Sequence, residues 1–356
     1  MPPAAAAWVV VDVATGAVLA AHDDRRPLPP ASLTKVLTAL VATGWLPPTA
    51  RLPITAAAAT VYPDRVGMKA GQVWSLVLAL HALLIFSAND AAYAIAQRVS
   101  GTLPSFGSVM TAAAREMGMA DHPVLHDPAG LDGTEGVAGG NLMSARDLAI
   151  AGRDLLAQPT LARIVALRHF PFEGPDGVAY DIETKDLAFL DAEPGAIGVK
   201  TGFTDRAGSC LMGAATQGNR TLMAVVLNGT NPTLTARVLL AQGFAAPVAA
   251  EPVADTLPPP VAPHPLPPPP PMVTAVGQPA VGQPAVGHPV TAHPVTAHPV
   301  AARPVGGRQS VPGRWWSALA AAALAVVVVG LLLARRRRER PINRRRRPGA
   351  GWSPRR

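Results

Sequence analysis

Two hydrophobic periods alternate along the first 246 residues. Trp8-Val-Val-Val-Asp-Val13 and Ala17-Val-Leu-Ala20 are short, mostly β-branched apolar runs flanking the turn Ala14-Thr15-Gly16, and they predict a hairpin. Three further strands are predicted late in the chain, over 196–201, 208–216 and 221–228, with Gln217-Gly218-Asn219 as a tight turn joining the last two. Between the two strand groups the period lengthens. Leu33, Val36, Leu37, Leu40 and Val41 recur at i, i+3, i+4, i+7 and i+8, and the pattern stops at Gly44. Other helices are predicted over 75–86, 90–99, 106–117 and 144–157. The expected class is α+β, an antiparallel five-stranded sheet built from both chain ends with a helical insertion between them.

The pattern then breaks down twice. From Pro252 to Pro312 charge almost vanishes and proline recurs at 279, 284, 289, 294, 299 and 304. A proline every fifth residue fits neither a helix nor a central strand. Residues 248–313 therefore read as a disordered, semi-rigid linker spanning on the order of 150–190 Å if polyproline-like. His288, His293 and His298 recur in it and read as drift at a tolerant repeat position, not as a metal tract. Residues 314–334 follow, a nearly uncharged run of bilayer length with Trp315 and Trp316 at one edge and Arg335 to Arg338 at the other. That pattern predicts a transmembrane helix, with the Arg-rich tail over 335–356 in the cytoplasm and residues 1–247 as a folded extracytoplasmic domain.

Charge changes the picture only after it is divided. The chain carries a formal +8, but eleven Arg and one Glu fall within 335–356. The other residues hold 20 Lys plus Arg against 22 Asp plus Glu, so the folded part is not basic and a nucleic-acid partner is not expected. The single cysteine, Cys210, excludes an internal disulfide framework and any Cys-cluster metal site, and reads as a small core residue.

The candidate chemistry begins at Pro30-Ala31-Ser32-Leu33-Thr34-Lys35, where the first helix opens. Residues three apart share a helix face, so Ser32 Oγ and Lys35 Nζ can meet. A serine hydroxyl needs a base to become a nucleophile, and a lysine becomes one when burial lowers its pKa; this helix is almost wholly apolar. Arginine cannot serve, because it does not deprotonate. The chain has 27 Arg and only four Lys, and two of the four fall in the motifs described here. A serine in the first turn also has a backbone N–H with no intrahelical acceptor, available to an oxyanion. A lone Ser-x-x-Lys is a weak signal, but Ser87-Ala88-Asn89 follows the second helix and Lys200-Thr201-Gly202 ends a late strand.

That trio, in that order, resembles the penicillin-recognising serine enzymes, and is most similar to the serine-type D-alanyl-D-alanine carboxypeptidases, the low-molecular-mass penicillin-binding proteins. The resemblance covers 7–245. It includes the first hairpin, Gly71-Gln72, Met117-Gly118-Met119, Asp127-Pro-Ala-Gly-Leu-Asp132, Ser144-Ala-Arg-Asp-Leu-Ala149 and Gly198-Val-Lys-Thr-Gly-Phe-Thr-Asp205. It implies a penicillin-binding-protein/β-lactamase-like fold and a catalytic set of Ser32, Lys35, Ser87 and Asn89. Ser32 would attack the penultimate D-alanine carbonyl and Lys35 would be its base. Ser87 would relay a proton to the leaving amine, and Asn89 would hold Lys35 and the substrate amide. Lys200 and Thr201 would bind the terminal carboxylate. Gly202 would let the peptide lie against the strand edge, and Phe203 N–H would join that of Ser32 in the oxyanion hole. The implied partners are peptidoglycan stem peptides, with β-lactams as covalent inhibitors; no metal or organic cofactor is implied.

The sequence departs from the family after its last core strand, where Asn228-Gly-Thr-Asn-Pro232 is short and Arg237 fits the place of a carboxylate-binding arginine only loosely. Two alternatives stay open. A β-lactamase would share the acylation step, although no convincing Glu-x-x-x-Asn of class A enzymes is found; a non-catalytic wall-binding module would keep the pocket without turnover. His122 and His126 with Asp121 and Asp127 read as a surface loop, and Glu183 with Asp186 as a solvated turn. Met1 to Trp8 runs straight into the first strand with no basic residue before Arg25, so the expectation is that an upstream secretory signal is missing from this chain.

Overall fold

The first strand, β1 (Ala5–Asp12), turns through Ala14–Gly16 into β2 (Val18–His22). Asp12 closes that turn, its carboxylate accepting the N–H groups of Ala14 and Thr15, an Asx arrangement that the sequence Asp-x-x-Thr-Gly favours. The computed structural model describes residues 4–133, 139–247 and 255–261, all of them within the compact unit Met1–Gly277. The expected linker repeats, membrane segment and Arg-rich tail lie outside the described residues. Among the described residues no helix is long and apolar enough to cross a membrane.

After a single 3-10 turn over Ala31–Leu33 the chain enters α1 (Thr34–Trp45). The insertion continues through β3 (Arg51–Pro53), α2 (Ala56–Thr60), β4 (Val73–Ser75), α3 (Leu76–His81), α4 (Asn89–Ser100), α5 (Leu103–Glu116), α6 (Ala145–Leu156) and α7 (Pro159–Val165). A hairpin of β5 (His169–Glu173) and β6 (Ala179–Glu183) precedes α8 (Leu187–Ala192). The chain then returns to the main sheet with β7 (Ala196–Thr204), β8 (Gly208–Gln217) and β9 (Arg220–Gly229), and α9 (Pro232–Ala245) follows. The sheet order is β2-β1-β9-β8-β7, antiparallel throughout, so the first and last strands of the chain pair in the middle and β7 is an edge.

Side-chain alternation along β9 explains why this sheet needs two helical covers. Leu222, Ala224 and Val226 point to one core, shared with Leu239 and Leu240 of α9. Met223, Val225 and Leu227 point to the other and larger core, which α1 and α6 also fill. The expected α+β fold with a five-stranded sheet from both chain ends is therefore the observed one. Three differences matter for the site. The helix expected over 75–86 is α only to His81 and widens into a π turn over Ala82–Phe86. Neither the β5–β6 hairpin nor α9 was expected. Within the proline-rich stretch, residues 255–261 lie against the domain: Leu257 is buried, its N–H donates to Gly16 O at 2.9 Å, and Arg153 donates to the carbonyls of Leu257 and Pro258.

Candidate active site

Ser32 sits in the 3-10 turn ahead of α1, immediately after Ala31, which adopts φ 50°. That left-handed conformation costs a non-glycine residue about 1–2 kcal/mol, so packing must enforce it. Two glycines do so by close approach. A Cβ on Gly130 would lie within 2.6 Å of Ala31 C and Thr34 Oγ1, and one on Gly202 would lie 3.0 Å from Ser32 N and from Ala31 Cβ. The glycine of Lys-Thr-Gly is therefore required where β7 presses on the serine turn.

One helical turn on, Lys35 Nζ lies 2.7 Å from Ser32 Oγ and donates to Ala129 O at 2.9 Å. Lys35 has 0% exposure. Burial holds its pKa well below the usual lysine range, with the charge of Lys200 pushing the same way and Asp127, Asp64 and Asp90 opposing. The loop supplying Ala129 O is itself tied down. Asp127 accepts the N–H groups of Ala129 and Leu131 and the hydroxyl of buried Tyr93; Asn141 links Asp127 O to Thr34 Oγ1; Thr38 donates to Pro128 O.

The π turn delivers Ser87. Its wider spacing ends at a left-handed Ser87, φ 67°, buried at the end of the turn, and Asn89 then opens α4. Such turns are common where a helix must present a functional group. Asn89 is buried; its backbone N–H donates to Asp64 O and its Nδ2 to Pro63 O, both at 2.9 Å, while its Oδ1 has no hydrogen-bond partner among the described residues. A buried acceptor left unsatisfied is costly and needs an explanation.

The third wall is the edge strand. Lys200 is 1% exposed and donates to Thr201 O at 2.9 Å. Burial brings its pKa down to about 8, with Asp186 and Asp64 holding it up and Lys185 lowering it. Thr201 is half-buried and Phe203 is 66% exposed at the sheet margin. The structure thus brings Ser32 and Lys35 into contact, sets Gly202 against the serine turn and couples Lys200 to Lys35 by charge.

Several sequence expectations need correcting. Asp186 is no solvated turn residue: it is 3% exposed, both carboxylate oxygens lack a hydrogen-bond partner, and burial raises its pKa to about 7, with Lys200 lowering it. Glu183 does lie on the exposed side of β6, 3.8 Å from His169. Of the four residues read as a surface loop, Asp127 is fully buried and Asp121 accepts from Ser144 and Arg25, so both brace the fold. Arg237 is engaged with Glu193 at 3.3 Å. Cys210 is buried, and burial raises its thiol to about 11, as a small core residue requires. Sequence reasoning missed the carbonyl of Ala129 as the second partner of Lys35. The signal was the Pro-Ala-Gly bend at 128–130, whose glycine is forced by contact with Ala31.

A family model described as D-alanyl-D-alanine carboxypeptidase, peptidase S11, matches residues 3–231. A D-alanyl-D-alanine carboxypeptidase of Mycobacterium tuberculosis is 33% identical over 222 residues, covering 62% of this chain and 74% of that protein. One from Bacillus subtilis is 29% identical over 230 residues, covering 63% of this chain and 57% of its own, so the chain spans little more than half of that relative. Among solved structures, a D-alanyl-D-alanine carboxypeptidase from Mycobacterium tuberculosis H37Rv superposes with TM-score 0.65 at 33% identity, over 70% of this chain and 94% of that one.

Proposed function

Since the chain belongs to the D-alanyl-D-alanine carboxypeptidase family, we propose that it is a membrane-anchored serine enzyme removing the terminal D-alanine from peptidoglycan stem pentapeptides. The observation that carries this reading is the 2.7 Å contact between Ser32 Oγ and a fully buried Lys35 Nζ. A lysine kept neutral there accepts the serine proton as Oγ bonds to the penultimate D-alanine carbonyl carbon. Ser87 then relays a proton to the amine of the departing D-alanine as the C–N bond breaks, leaving an ester on Ser32. A water attacks that ester, its proton passes to the same base, and Ser32 regains its hydrogen.

The other residues position and stabilise. The unpartnered Asn89 Oδ1 is an acceptor for the substrate amide N–H or for Lys35. Lys200 supplies a cation, and Thr201 a hydroxyl, for the terminal carboxylate. The free edge of β7 accepts the peptide as an added strand. The backbone N–H groups of Ser32 and Phe203 serve the oxyanion, commonly the largest single catalytic contribution. Residues 314–334 supply the anchor, with the domain outside the cell and the Arg-rich tail inside.

Mass spectrometry after treatment with a labelled penicillin tests the acylation, and release of D-alanine from a pentapeptide tests turnover. An adduct on Ser87 or Ser209 instead of Ser32 refutes the assignment; an adduct without D-alanine release identifies a non-catalytic penicillin binder, and rapid loss of hydrolysed penicillin identifies a β-lactamase. Membrane fractionation with and without residues 314–356 tests the anchor, and protease added to intact cells tests the topology.

A further inference from the structure

Asp186 occupies the turn between the β5–β6 hairpin and α8, and its side chain does nothing for that turn. It makes no cap hydrogen bond to α8, and both its oxygens are buried without a hydrogen-bond partner among the described residues. The backbone around it is satisfied: its N–H donates to Thr184 Oγ1 at 3.1 Å and its carbonyl accepts from Phe189 and Leu190. A buried carboxylate without hydrogen bonds persists only where another charge compensates it. The charge that acts on it is Lys200, on β7, the strand against which α8 packs. The same strap is fixed to the π turn that delivers Ser87, through Lys185 N–H donating to Ile85 O at 3.1 Å.

We propose that Asp186 is a positioning residue for Lys200: its buried carboxylate is the counter-charge that keeps the Lys200 ammonium charged to receive the substrate's terminal carboxylate. This rests on the reading of Lys200 as the carboxylate-binding cation and extends it. Three other charges surround Lys200. Asp64 supports it but is half-exposed and shared with Lys185 at 3.7 Å, so solvent screens it; Lys185 opposes it from the same strap; and Lys35 lies within its field. Asp186 is the supporting charge shielded from water. Its influence reaches further, because the Lys200 cation is one of the two causes that lower the Lys35 pKa.

The two buried groups titrate as a pair. The Asp186 carboxyl is pushed up to about 7 and the Lys200 ammonium down to about 8. Above the lower value the carboxylate is present and holds the proton on Lys200. Removing that negative charge leaves burial and Lys185 opposed only by the screened Asp64, so Lys200 loses its proton at lower pH.

The test is the second-order rate of acylation by a labelled penicillin, measured against pH, in the full chain and in Asp186→Asn. The penicillin carboxylate stands in for that of the peptide. The alkaline limb should move about one pH unit lower in Asp186→Asn, reducing the rate about fivefold at pH 8 and less than twofold at pH 6. An unmoved limb, or a uniform loss at every pH, overturns the proposal in favour of a structural role. If Asp186→Asn does not fold, the wild-type chain decides by lysine 13Cε NMR, which has only four lysines to resolve. The Lys200 signal, assigned by its absence in Lys200→Arg, should show an inflection near pH 7 before its own step near pH 8. A single step overturns the proposal. Wild-type protein that takes up no penicillin at any pH refutes the enzymatic reading instead, and the NMR titration still decides the pair.

Discussion

Two regions of this domain bury ionisable side chains with displaced pKa values, and what closes each one differs. At Ser32, a buried lysine touches the serine hydroxyl and feels the charge of a second buried lysine on the edge strand β7. Along α6, Arg153 and Asp154 are buried just as deeply, and burial raises the Asp154 carboxyl to about 6. There the chain itself supplies most of the partners, although Asp154 Oδ2 has none among the described residues. Arg153 is consumed by the carbonyls of Val13, Leu257 and Pro258, and Asp154 Oδ1 accepts the N–H of Val261 at 3.2 Å. A displaced pKa therefore marks buried charge in both places, and chemistry only where a nucleophile accompanies it.

The comparison breaks most visibly at the serine. Ser32→Ala should abolish covalent penicillin labelling and D-alanine release while leaving the unfolding temperature within a few degrees, as read by gel fluorescence and calorimetry. Lys35→Arg should lower acylation by about 10²–10⁴-fold, since the charge stays but the base is lost. The α6 region should answer in the opposite sense. Leu257→Asp, which places a charge where a buried leucine packs, should cost about 2 kcal/mol of stability in chemical denaturation and expose 255–261 to proteolysis. Acylation should stay within twofold.

A finer cut uses pH. The Asp154 carboxyl binds its proton more tightly folded than unfolded, so the folded state gains stability as pH falls from about 7 towards 4 and loses it on the way back. Asp154→Asn keeps the acceptor for Val261 N–H and removes the charge. It should raise stability at pH 7 by about 1 kcal/mol and flatten the profile between pH 4 and 7, checked by urea unfolding at both ends. The smallest effect belongs to Arg237, already paired with Glu193: Arg237→Ala should change the acylation rate less than twofold. A tenfold loss would make it part of the carboxylate site.

The legible parts of the fold were those governed by near neighbours. The hairpin at 8–20, the stripe of Leu33, Val36, Leu37, Leu40 and Val41, and the three late strands all carry their period in consecutive residues. Helix α9 was missed although Asn231 caps it and Pro232 opens it, because its apolar residues run nearly all round and leave no stripe to read. The β5–β6 hairpin was missed because its strands bury little. Asp186 was misread because nothing in Thr-Lys-Asp-Leu indicates that the segment lies under the catalytic wall.

The sequence by itself determined the order and local spacing of the candidate side chains: a serine three residues before a lysine on an apolar helix, with Ser87, Asn89 and the Lys-Thr-Gly strand following along the chain. Spacing within one element is a local property, and local geometry follows from backbone periodicity alone. Only the tertiary structure decided what state those groups are in. The lowered pKa values of Lys35 and Lys200 and the raised one of Asp186 depend on desolvation and on charges brought together from α1, β7 and the turn before α8. The position of 255–261 was decided the same way, because Leu257, Pro258 and Val261 meet partners at Gly16, Arg153 and Asp154, more than 100 residues away in sequence. Electrostatic and solvation energies depend on distance in space, and sequence separation does not report it.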